Sequence, residues 1–264
     1  MTRWCRVGPD SSRDRRTVIV SGEVPPVGDN GDMPCPPVIA LLAAASLLMA
    51  GCAQMVDGSA VRAENSVPVV DQTFTESALE GLLISAEEAD EIVGVTGLKP
   101  TEARDTSDTM NVNANDLSDE DCRAAVFGAQ EAVYAGSGWT GVRDQVMSTP
   151  RSRQSIEQTV VLYPSGDEAR SFFDSAGQSW QACAGRTISI GTGDATTHWD
   201  IADVVAEQSL LTQFSTEQQQ PEWPCDHALA VVSNLVIETW ACGVGITNQA
   251  ATLALHMAAT AADA

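Results

Sequence analysis

The run Cys225-Asp226-His227-Ala228-Leu229-Ala230-Val231-Val232-Ser233-Asn234-Leu235-Val236-Ile237-Glu238-Thr239-Trp240-Ala241-Cys242 decides the fold. Two β-rich segments, His227–Ser233 and Leu235–Cys242, lie on either side of Ser233-Asn234, residue types that suit a tight turn. A cysteine stands at each end of the run. The whole reads as a β-hairpin closed by a disulfide.

Working outward, Gln154–Tyr163 alternates as a strand, with Ile156, Gln158, Val160 and Leu162 on one face. Trp139–Met147 reads as a second strand, with Trp139, Gly141, Arg143 and Gln145 on one side. Glu168–Cys183 carries Ala169, Phe172, Phe173, Ala176 and Trp180 at helical spacing. Strands are expected at Arg186–Ile190, Thr197–Val205 and Ser209–Phe214, and a last helix at Asn248–Ala261. Upstream, Leu79, Leu82 and Leu83 mark a helix beginning at Glu76. Ser85-x-x-Glu88 is a capping box that opens Ala86–Val93. Residues 101–121 read as an acidic surface loop, and Cys122–Tyr134 as one short helix. Elements in this order predict an α+β fold, a largely antiparallel sheet with flanking helices.

The N-terminal part has a different character. Residues 33–56 hold no charged side chain, and Val38–Cys52 is an apolar run ending in Met49-Ala50-Gly51-Cys52. That length suits a signal peptide rather than a membrane span. The ending resembles a bacterial lipobox, so Cys52 is the expected site of diacylation. Residues 1–51 are expected to be a signal peptide, with 1–32 read as preceding the true start. Residues 52–75 are expected to be a tether, and 76–262 the domain. An exported chain favours disulfides. Cys122, Cys183, Cys225 and Cys242 allow three connectivities, none through a C-x-x-C motif. Cys122–Cys183 with Cys225–Cys242 is favoured, the second pair closing the hairpin.

The net charge is −22, and Lys99 is the only lysine from Cys52 onward. This argues against nucleic acid and against a basic patch for anionic lipid. His198, His227 and His256 are scattered over separate elements and are expected in surface or capping roles, with no metal site. Gly191-x-Gly193 is a turn, and Gly136-Ser137-Gly138 lacks the spacing of a nucleophile elbow. No acid and base pair stands out, and no cofactor is implied. Trp139, Trp180, Trp199, Trp223 and Trp240 pack the core or line a cleft for an apolar or carbohydrate ligand.

Several of these segments together resemble the mycobacterial PknH-like extracellular sensor domain. They are Gly138-Trp139-x-x-x-Arg143; Gln158-Thr159-Val160-Val161-Leu162-Tyr163-Pro164; Ala169 to Phe172-Phe173 to Trp180-x-x-Cys183; and Cys225 to Ser233-Asn234-Leu235-Val236-Ile237-Glu238 to Cys242-Gly243. The resemblance covers about residues 75–262. It implies an α+β fold with two disulfides in the favoured pairing, and a cleft for an unidentified ligand. It transfers neither kinase activity nor any catalytic residue.

The expectation is a sensor-like, ligand-binding domain without catalytic activity, anchored by its lipid on the outer face of the cell membrane. The alternative is an envelope lipid carrier or protein-interaction lipoprotein. Arg143, Gln158 and Asn234 are the polar residues expected near a concave face of the sheet. Each also has a structural reading: an ion pair, a cross-strand hydrogen bond and a turn.

Overall fold

In the computed structural model, the described residues are 66–101, 106–113 and 115–264. Cys52 and the apolar run before it lie outside them.

The hairpin forms the middle of the sheet. Strands β8 (Cys225–Val232) and β9 (Leu235–Gly243) pair from Cys225↔Cys242 to Val232↔Leu235. Ser233 makes the turn at a φ of 51°. Both strands are buried on both faces, which is why they read as near-continuous apolar runs. The neighbours are β1 (Lys99–Pro100), β2 (Gly141–Ser148), β3 (Gln154–Leu162), β4 (Thr187–Ile190), β5 (Thr197–Ile201), β6 (Val205–Ala206) and β7 (Leu210–Glu217). Their order is β1-β2-β3-β9-β8-β7-β5-β4, with β6 beside β7. Every pairing between these strands is antiparallel.

One face packs under α5 (Gln249–Asp263), α1 (Ala86–Val93) and a 3-10 turn at Glu76–Leu82. Leu79, Ile156, Val160, Ile237, Leu253 and Met257 make its core. The opposite face packs under α4 (Gly166–Cys183) through Phe172, Phe173 and Trp180. Gln72 and Phe74 are tied to the domain: the Gln72 amide donates to Ala261 O at 3.3 Å, and the Phe74 N–H donates to Asn234 Oδ1 at 2.8 Å. The disulfides are Cys122–Cys183 and Cys225–Cys242, with Cα separations of 5.6 and 4.1 Å.

The capping box at Ser85 and Glu88 is present, and Gly94 ends α1 at a φ of 75°. Four local features depart from the sequence reading. Cys122–Tyr134 is not one helix: α2 (Arg123–Val126) and α3 (Glu131–Tyr134) are separated by an extended Phe127 and by Ala129 at a φ of 50°. Thr197–Val205 breaks after Ile201. Ser165 caps α4, so that helix begins at Gly166, two residues before the expected start at Glu168. The acidic loop dips inward at Met110 and Asn111, both buried.

Candidate functional site

Arg143 and Gln158 share one face of β2 and β3, since Arg143 faces Val160 and Gln158 faces Gln145. That face is covered by the segment Phe74–Ile84. Gln158 accepts from Ile84 N at 2.7 Å and donates to Ile84 O at 2.9 Å. Its side chain thus pairs with the segment's backbone as a strand would. Asn234 does the same at the other end, with Oδ1 accepting from Phe74 N and Nδ2 donating to Phe74 O at 3.1 Å and Tyr163 O at 2.8 Å. Arg143 lies 3.5 Å from both Glu76 and Glu80 and donates to Val142 O. All three residues meet under one strap, and the polar atoms of Gln158 and Asn234 are closed off from solvent.

The opposite face holds a different arrangement. Glu157, Trp240, His227 and Gln213 stand in register across β3, β9, β8 and β7. His227 is fully buried, contrary to the surface role read from sequence, and lies between Trp180 and Trp240 with both ring centroids at 4.0 Å. Burial pushes its pKa down, opposed by Glu238. The neutral ring then donates from Nε2 to Glu238 Oε1 at 2.9 Å. Glu238 Oε2 accepts from Tyr134 Oη at 2.7 Å and from Ala129 N at 3.1 Å. Burial, reinforced by Glu238, raises the Tyr134 pKa well above its ordinary value. This network fixes α3 and the 127–130 loop over the sheet.

Beside that loop lies a chamber of about 250 Å³. Phe127, Trp199, Trp223 and Trp240 line it, with Ser215, Glu157 and the Cys225–Cys242 disulfide in its walls. A cavity of about 370 Å³ shares Phe127, Gly128, Val146 and Glu157 with it and adds Asn111, Asn113 and Gln130. Asn111 donates to Glu157 Oε1 at 2.7 Å and to Gly128 O at 3.1 Å. A Cβ on Gly128 would stand 2.6 Å from Glu157 Oε2 and 2.7 Å from Trp240 Cδ1. Only glycine lets the loop lie this close.

The three indole N–H groups of the chamber differ. Trp199 donates to Thr197 Oγ1 at 3.0 Å and Trp223 to Arg153 O at 3.1 Å. Trp240 Nε1 is buried with no acceptor among the described residues. His227 Nδ1 and Gln213 Oε1, in the same row, are likewise unpaired among the described residues. Such groups cost about 1–3 kcal/mol each.

A wider groove of about 680 Å³ lies between α3 and α4, walled by Ser171, Ser175, Ser179 and Arg123. Its one guanidinium is already held by Glu120 at 2.6 Å and Asn113 O at 3.0 Å. The other histidines are peripheral: His198 meets Ser189 Oγ at 2.9 Å, and His256 lies 3.6 Å from Glu88. Sequence reasoning missed His227, Glu238 and Gly128. The available signal was a polar residue at an inward position between apolar ones, as at Glu238 between Val236 and Trp240.

Comparison with known proteins gives one answer. The kinase PknH of Mycobacterium bovis is 31% identical over 185 residues, which are 69% of this chain and 30% of the kinase. PknH of Mycobacterium tuberculosis is also 31% identical over 185 residues. The chain thus spans about 30% of the length of the curated relatives it matches. The crystal structure of the extracellular domain of PknH from Mycobacterium tuberculosis superposes with a TM-score of 0.69 at 29% identity, covering 73% of this chain and 99% of that one. The match therefore falls on the extracellular region and not on the kinase domain, which implies an extracytoplasmic location. Among the described residues no helix is long and apolar enough to cross a membrane. The family model for the PknH-like extracellular domain matches residues 74–260, and the chain belongs to that family.

Proposed function

We propose that this protein is a lipid-anchored, extracytoplasmic, ligand-binding domain of sensor-like character, without catalytic activity of its own. Cys52 is the anchor, and the chamber bounded by Trp199, Trp223 and Trp240 is the ligand site. The observation that carries the second point is the convergence of Phe127, Trp199, Trp223 and Trp240 on one cavity that adjoins the side chains of Asn111, Asn113 and Gln130. Arg143, Gln158 and Asn234 serve this reading indirectly, by holding the strap that supports the sheet from behind. A chamber of about 250 Å³ does not suit carriage of a long acyl chain, which needs a continuous apolar cavity. The net charge of −22 disfavours nucleic acid and anionic ligands.

Mass spectrometry of protein purified from its own membrane tests both parts. The expected result is an N-terminal peptide beginning at a diacylated Cys52, together with a small-molecule mass that is retained natively and released on denaturation. An unmodified Cys52 overturns the anchor. A protein with no retained mass, and no response to fractionated envelope extract, overturns the ligand site.

A further inference from the structure

We infer that the chamber takes a neutral saccharide ring, an inference that rests on the ligand-site reading above and narrows it. Three independent features of the cavity select the ligand's chemistry.

The first is aromatic surface. Phe127, Trp199, Trp223 and Trp240 offer flat apolar faces in one small cavity. A pyranose presents a patch of C–H groups on its own faces and stacks on such surfaces, burying apolar area while its rim stays polar.

The second is the polar wall beside those faces, where Ser215 and Glu157 line the same cavity. A sugar's hydroxyls can hydrogen-bond to such groups. A hydrocarbon chain or a quaternary ammonium ion makes no such hydrogen bond. The Trp199 and Trp223 indoles already have acceptors, so they contribute surface rather than specificity.

The third is the adjoining cavity, which shares the Phe127–Gly128 wall and brings the side-chain amides of Asn111, Asn113 and Gln130. Amides donate and accept at adjacent atoms, a match for vicinal hydroxyls. Asn111 Nδ2 donates to Gly128 O at 3.1 Å and to Glu157 Oε1 at 2.7 Å, and Gln130 Nε2 donates to Gly128 O at 2.8 Å, so these amides meet a hydroxyl through their oxygens, already oriented before a ligand arrives. The net charge of −22 selects against acidic sugars. A single ring would lie in the aromatic chamber, with the rest of an oligosaccharide leaving past the amides.

Saturation-transfer NMR on the purified protein tests this. The probes are the methyl pyranosides of the common neutral hexoses, a methyl glucuronide, benzyltrimethylammonium and 1-hexanol. The expected result is transfer from protein to at least one neutral pyranoside, with the glucuronide at least tenfold weaker. Trp223→Ala and Trp199→Ala, each with an unchanged melting temperature, should weaken that binding at least tenfold. If benzyltrimethylammonium or hexanol binds in a manner sensitive to those substitutions while no pyranoside does, the saccharide class is overturned and the ligand site stands. If pyranosides bind equally well to both variants, the saccharide is not in this chamber and the inference fails. If no probe binds, and envelope extract is also silent, both the inference and the ligand site fail.

Discussion

Asn234 makes three hydrogen bonds from the hairpin turn, two to Phe74, 160 residues earlier in the chain, and one to Tyr163 O. Removing its amide leaves Phe74 N–H and two carbonyls without partners. Asn234→Ala is expected to lower stability by about 2–4 kcal/mol, by analogy with other buried, stranded polar groups. Chemical denaturation measures this, and a loss below the scatter of surface substitutions would return Asn234 to a ligand-facing role. Gly128→Ala would place a methyl group within 2.8 Å of Trp240 Nε1 and within 2.6 Å of Glu157 Oε2. Overpacking of this kind costs about 1–3 kcal/mol, and here it would also narrow the chamber. Asp226 behaves differently. Burial raises its pKa to about 6, although Ala250 N donates to it at 2.8 Å at the start of α5. A raised carboxyl pKa means that the native state holds the proton more tightly than the unfolded one. Its contribution is thus most favourable at low pH and is lost as pH rises from about 4 to about 6, with an upper bound of ~3 kcal/mol. The stability difference between wild type and Asp226→Asn should therefore change over that range in favour of the variant as pH rises. A difference that stays flat with pH would contradict it.

Among the elements, the hairpin was the most legible in sequence, because its turn chemistry, its apolar runs and its terminal cysteines agree. The paired faces of β2 and β3 were legible for the same reason: alternation put Arg143 and Gln158 together, as observed. What alternation could not convey is what covers a face. The strap at Phe74–Ile84 packs against Gln158 and Asn234 through contacts 74 to 160 residues apart in sequence, and only the folded chain brings these together. The break between α2 and α3 was hidden for a related reason. Gly128 is a poor helix former and was a local sign of the break, but the groups that hold the loop out of the helix, Glu238 and Trp240 from β9, reach Ala129 N and Gly128 only in the folded chain. The two disulfides act on different elements. Cys122–Cys183 ties α2 to the end of α4 across 61 residues, whereas Cys225–Cys242 joins strands already paired in register across 17 residues. Loop-closure entropy assigns roughly 4 and 3 kcal/mol respectively, with the second reduced by residual hairpin structure in the unfolded chain. Replacing the first pair with serines should lower the melting temperature more than replacing the second. The reverse order would mean that the hairpin depends on its cross-link.

At the scale of the molecule, one sheet separates two tasks. The face under α5 and the strap is an apolar core tied down by buried amides. The other face carries a row of buried polar groups that ends at an aromatic chamber. The chain's net charge of −22 favours a well-solvated surface. The account turns on whether that chamber binds the ligand, and the indole N–H of Trp240 reports on it directly. In a ¹H–¹⁵N correlation spectrum, with Trp240 assigned through Trp240→Phe, fractionated native envelope extract should shift the Trp240 indole resonance, because the ring forms part of the chamber wall. The Trp139 indole, packed in the separate core beneath α4, should stay in place. An unmoved Trp240 resonance, with responses confined to the serine-walled groove along α4 or to Arg143, would contradict the account.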